Sequence, residues 1–192
     1  MKHWRITVSL MVSLLFIVPF AQGQEDSLPF FLGKVASGTN ELSKKEKADL
    51  LSRVNEVLEQ ASRIRWKLTR AIQAGDLDVR YQEGKFWMTK LEEDREAIET
   101  GLEQLKLLKE KPALLVPSIR LFKSLKDLSK NFNAYNNMPF LSAYVGDLAP
   151  ELELWSDPVF YRLYVLPLAK SKEGVAKPPQ KEKKPAPKEK KP

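Results

Sequence analysis

The chain of 192 residues has no cysteine, and its single histidine is His3. Without cysteine there are no disulfide staples, thiolate nucleophiles or thiolate zinc sites. If the N-terminus is removed, no imidazole is left for acid–base chemistry or metal ligation. Glycine is scarce, eight residues scattered along the chain, so neither a phosphate-cradling loop nor a dinucleotide fingerprint is present. No serine stands in a Gly-rich elbow. Asp76, Asp78, Glu83 and Gly84 do not make a calcium loop, because Arg80 occupies a ligand position and no glycine falls at 81. No catalytic residue, metal ligand or cofactor is therefore assigned.

What the chain does have is charge, unevenly spread. It carries 32 Lys and Arg against 25 Asp and Glu, a net charge of +7. Lys2 and Arg5 supply two positives at the N-terminus. Residues 177–192 supply seven lysines and two glutamates, a net +5. Between them, residues 24–176 hold 23 charges of each sign. The excess thus lies at the ends, which argues against specific nucleic-acid binding by the body.

Residues 1–5 form a short basic head, and residues 6–20 an apolar run broken only by Thr7, Ser9, Ser13 and Pro19. Ala21-Gln22-Gly23 then places small residues at the −3 and −1 positions of a cleavage site. This three-part layout predicts a secretory signal peptide over 1–23, cut between Gly23 and Gln24. The run is shorter than the ~20 residues a spanning helix needs. The expected destination is the bacterial periplasm or the exterior, in preference to a membrane anchor.

Residues 24–42 hold Pro29, Gly33, Gly38 and Asn40 and are expected to be an irregular lead-in, with Leu28, Phe30, Phe31 and Leu32 as a docking patch. Ser43-Lys44-Lys45-Glu46 has the capping-box spacing of a helix start. Leu51, Val54, Leu58, Ala61, Leu68 and Ile72 follow at helical spacing, flanked by Leu50, Val57, Ile64 and Ala71. That face is wide, as in a bundle. Gly75 is a helix stop. A second helix is expected from Asp76-Leu77-Asp78 to about Glu110, with Trp87, Met88, Leu91, Ile98, Leu102, Leu105 and Leu108 on its stripe. Two helices of similar length joined by a short turn predict an antiparallel hairpin over 43–110.

Pro112 and Pro117 bracket a break before a third helix carrying Leu121, Leu125, Leu128 and Phe132 and ending near Tyr135. Between 140 and 168, Gly146, Pro150, Pro158 and Pro167 predict short helices: near 140–145, near 151–155, and a separate one starting at Pro158 capped by Asp157. The fold class is all-α and bundle-like, with one helical domain over 43–170. Residues 171–192 end in a Lys/Pro-rich tail expected to be disordered, in which Lys181-Glu182-Lys183-Lys184-Pro185 recurs as Lys188-Glu189-Lys190-Lys191-Pro192.

Several groups invite a functional reading. Glu92, Glu93, Asp94, Glu96, Glu99 and Glu103 read as a solvated acidic face of the second helix. As paired carboxylates for a hydrolase acting on cell-wall glycan, Glu151 and Glu153 beside Trp155 are the better candidate. Arg65, on the apolar face, either stacks on Trp87 or reaches out to water. Trp155, Phe160, Tyr161 and Tyr164 form an aromatic cluster that is either core or a candidate partner surface. The tail lysines Lys177, Lys181, Lys183, Lys184, Lys188, Lys190 and Lys191 are candidates for an anionic envelope surface, lipid or cell-wall polymer. The resulting expectation is an exported, non-enzymatic bundle that binds a protein partner and is tethered by its tail. The glycan hydrolase is one alternative. An oligomeric coiled-coil scaffold or holdase-like chaperone is the other.

Overall fold

The computed structural model describes residues 27–38, 41–77 and 79–175. The signal segment, its Gly23/Gln24 cleavage site and the tail lysines lie outside these residues. The described chain is helical throughout, with no strand. Helix α1 spans Leu28–Ala36, α2 Lys44–Ala74, α3 Tyr81–Glu110, α4 Leu115–Asn136, α5 Pro139–Val145 and α6 Leu148–Leu154. A π-helical segment, Trp155–Val165, continues α6 and leads into α7, Leu166–Val175.

The capping box at Ser43 forms as its spacing requires. The Glu46 N–H donates to Ser43 Oγ (3.2 Å), and the Ser43 N–H donates to Glu46 Oε2 (2.7 Å). Both sequence stripes of α2 are in the core, from Leu50 and Leu51 to Leu68 and Ala71. Gly75 ends α2 with φ of 75°, a conformation that strains residues bearing a Cβ. The Asp76 N–H then closes onto the Ala71 carbonyl at 3.0 Å.

Helix α3 runs back along α2. With 31 and 30 residues, the two helices each extend about 45 Å. Gly101 explains their close approach: a Cβ there would lie 2.9 Å from Leu58 Cδ1 and 3.5 Å from Ser124 Cβ. Three helices, α2, α3 and α4, meet at this glycine. Helix α4 packs along α3, while α6 and the π segment close over α4.

Three expectations need correction. The lead-in is not irregular. Pro29 sits in the first turn of α1, where its missing N–H costs nothing. Phe31 is buried, with its ring 5.8 Å from that of Trp155. Leu28, Phe30 and Leu32 pack partly against the same core, so the patch docks on the chain's own body. Second, α3 starts at Tyr81, not at Asp76, because Leu77 and Val79 fold inward against the core and lengthen the connection.

Third, Pro158 starts no new helix, and Asp157 caps none. Asp157 instead pairs with Lys126 of α4. In an α-helix the Pro158 ring would collide with the Leu154 carbonyl. The wider π turn moves that carbonyl out of line, so the helix passes through the proline unbroken. At its far end the Leu166 N–H donates to Tyr161 O, the five-residue step of a π-helix.

Candidate functional site

The α3 stripe has a gap between Leu91 and Ile98, and Asp94 fills it. Three residues after one and four before the other, it lies on the buried face. Asp94 is fully buried. Helix α4 supplies its partners from positions one turn apart: Tyr135 Oη donates to Oδ2 (2.5 Å) and Asn131 Nδ2 to Oδ1 (2.7 Å). Trp87 packs edge-on against the Tyr135 ring at 5.6 Å, and Phe132 does so at the same distance.

Burial pushes the Asp94 carboxyl up to about 6, against the opposing pull of the Tyr135 and Asn131 hydrogen bonds. The charge of Glu93 raises it further and that of Arg65 lowers it. Burial and the neighbouring carboxylate also hold the Tyr135 phenol well above its ordinary range. The cluster is a buried cross-link between α3 and α4 that takes up a proton on mild acidification. The sequence reading of Asp94 as part of a solvated acidic face is therefore wrong. Its neighbours do face water: Arg95 bridges Glu92 (2.5 Å) and Glu99 (2.9 Å), and Lys90 pairs with Glu93 (2.6 Å).

Asn131 also forms one end of an open groove of about 720 Å³ between α3 and α4. The α3 rim carries Glu93, Glu96 and Glu103, with Lys90 at its start. The α4 rim carries Arg120, Lys123 and Lys130, interrupted by Asp127. An acidic edge thus faces a basic one. Among the described residues, Glu96, Glu103, Arg120, Lys123, Asp127 and Lys130 make no ion pair with each other or with any neighbour.

The groove lining includes Ala97, Thr100, Gln104 and Ser124. Gln104 is 3% exposed and Ser124 4%, yet neither side chain hydrogen-bonds to another described residue. Among the described residues, the one fully sealed side-chain polar atom without a partner is Thr69 Oγ1. The polar ends of Gln104 and Ser124 therefore keep contact with the groove.

Of the two readings of the aromatic cluster, core or partner surface, the structure favours core. Trp155, Phe160 and Tyr164 are buried, because the helix carrying them is clamped between α1 and α4. Phe160 stacks on Tyr164 at 5.1 Å, and Tyr164 Oη donates to the Pro112 carbonyl at 2.9 Å. Burial pushes the Tyr164 phenol up to about 12. Tyr161 alone remains at the surface, 40% exposed, against Phe122.

Glu151 and Glu153 take separate partners. Trp155 Nε1 donates to Glu151 at 3.1 Å and Asn133 Nδ2 to Glu153 at 3.3 Å. The structure does not bring them to one cleft. Of the two readings of Arg65, no stack on Trp87 forms; Arg65 acts instead on Glu92 and Asp94 across the hairpin. The described cation–π contact on tryptophan is that of Arg70, 5.3 Å from the Trp66 ring. No group of three or more His, Cys, Asp or Glu able to hold a metal occurs among the described residues.

No family model, curated protein or solved structure matches this chain.

Proposed function

We propose that the chain is an exported, non-enzymatic binding protein, whose helical body engages a protein partner and whose basic tail holds it to an anionic surface of the cell envelope. The observation that carries the reading is the charge partition. Seven lysines crowd residues 177–192, while residues 24–176 balance 23 charges of each sign. Lysines near an anionic membrane each contribute about 1 kcal/mol, and the attraction fades within a Debye length. A neutral body gives no competing attraction, so the tail sets surface affinity. The apolar run at 6–20 before Ala21-Gln22-Gly23 supports export. Among the described residues no helix is long and apolar enough to cross a membrane.

The binding face of the body is the α3–α4 groove, whose polar lining is open to a ligand. The test uses sedimentation with phosphatidylglycerol-containing vesicles. Full-length protein should co-sediment at low salt and be released at high salt, and protein lacking residues 177–192 should stay in solution. Binding indifferent to both salt and truncation would overturn the tether.

A further inference from the structure

The geometry points to the α3–α4 groove as the seat of an extended polypeptide segment carrying both acidic and basic side chains. This inference rests on the reading of the body as a protein-binding module and names the chemistry of the partner.

A side-chain amide presents one acceptor and two donors in a plane, the complement of a peptide bond's N–H and C=O. At an open groove the partner of such a group is water until a ligand's main chain replaces it. Gln104 is 3% exposed, opens onto the groove and has no described partner. Ser124, 4% exposed, adds a hydroxyl in the same state. The Asn131 amide nitrogen is committed to Asp94, which fixes the side chain at the end of the groove. These groups suit a main chain whose own N–H and C=O groups are free, which an extended segment has and a helix lacks.

The rims set the side chains. In an extended segment, successive residues point to opposite sides. One set would face Glu96 and Glu103 on α3, and the other Arg120, Lys123 and Lys130 on α4. Opposite charges placed alternately along the segment satisfy both edges at once. A segment of one sign meets attraction on one rim and repulsion on the other. From Lys90 to Gln104 the groove runs about 21 Å along α3, the length of about six extended residues.

The probe is a blocked, fluorescein-labelled decapeptide of alternating lysine and glutamate. At ten residues it is too short to hold a helix in water. Anisotropy titration of the full chain at low salt should show saturable binding. Gln104→Leu, close in volume, should weaken binding about tenfold, the effect of one lost buried hydrogen bond. Ser124→Ala should weaken it less, and Lys123→Glu should weaken it while helping an all-lysine peptide. Circular dichroism and urea midpoints identify variants that fold as the parent does.

Four results overturn the assignment: no binding of the alternating peptide; unchanged affinity in both Gln104→Leu and Ser124→Ala; equal affinity for all-lysine or all-glutamate peptides; or tighter binding of a peptide of residues 177–192, which would make the occupant the chain's own tail. The vesicle experiment reads the tail and this one reads the body. Loss of vesicle binding with peptide binding intact removes the tether alone, and the converse removes the groove alone.

Discussion

Two carboxylates in this protein show opposite uses of the same chemical group. Glu46 stands at the exposed start of α2. Asp94 lies in the middle of α3 beneath α4. Glu46 receives the Ser43 N–H and pairs with Lys34 of α1. The Lys34 bond, then the Ser43 N–H, pulls its carboxyl down to about 2. Asp94 has two good hydrogen bonds as well, yet burial outweighs them and its carboxyl rises to about 6. Hydrogen bonds favour the ion in both places. Access to water decides which way the balance falls.

The largest loss is expected from Asp94→Leu. The leucine fits the apolar stripe, but the Tyr135 hydroxyl and the Asn131 amide lose their acceptor. Each stranded group costs about 1–3 kcal/mol. We expect a loss of about 2–5 kcal/mol, read as a lower urea midpoint at neutral pH. Tyr135→Phe in that background should restore part of it, since the orphan hydroxyl is then gone.

The second effect is a pH dependence of opposite sign at the two sites. A folded pKa above the unfolded one means that the native state binds more protons between the two values, so stability rises as pH falls through that window. For Asp94 the window runs from about 6 down to 3.8, worth on the order of 3 kcal/mol. For Glu46 the native state binds fewer protons, and stability is lost as pH falls from 4.5 toward about 2. Asp94→Asn keeps the shape and, with Asn131 turned over, keeps both hydrogen bonds. It should be at least as stable as the parent at pH 7 and lose the rise between pH 6 and 4. Superimposable urea midpoints for the parent and the Asp94→Asn variant from pH 4 to 7 would show that burial does not govern this carboxylate.

The same pair shows what was legible in the sequence. The Ser43–Glu46 box is local: a hydroxyl and an acid three residues apart satisfy each other without a third element. The α2 stripes are equally local, since nine of the ten apolar residues read from their spacing are buried and Ile72 is partly so. Asp94 carries no such local sign, because Glu92, Glu93 and Glu96 beside it are not buried. Its environment is set by Asn131 and Tyr135, 37 and 41 residues away. The one available hint was its register between Leu91 and Ile98. Trp155, Phe160 and Tyr164 were legible only as core or surface. Their aromatic character fits both, and the covering elements that decide for core, α1 and α4, lie far from them in sequence. The π segment was hidden because the local rule for Pro158 predicts a break, and only a change of helical pitch avoids one.

The smallest effects belong to Glu46's own surroundings. Ser43→Ala removes the acceptor for the Glu46 N–H but leaves Glu46 bonded to the backbone of residue 43. A cap of this kind is worth about 1 kcal/mol, and the loss should appear as a modest fall in midpoint at pH 7. Lys34→Met removes the ion pair to Glu46 and, with it, the ammonium's contact over the Phe30 ring. The pair is water-accessible, so the change should cost only a few tenths of a kcal/mol and shrink with salt. The two variants respond differently to acid. Losing Lys34 takes away the first cause of the lowered Glu46 carboxyl, so the acid decline should begin at higher pH. In urea midpoints at pH 2.5 and 4.5, the Lys34→Met variant should lie closer to the parent at the lower value. An unchanged gap would mean that Lys34 contributes through its ammonium over the Phe30 ring, and that the contrast with Asp94 rests on the cap alone.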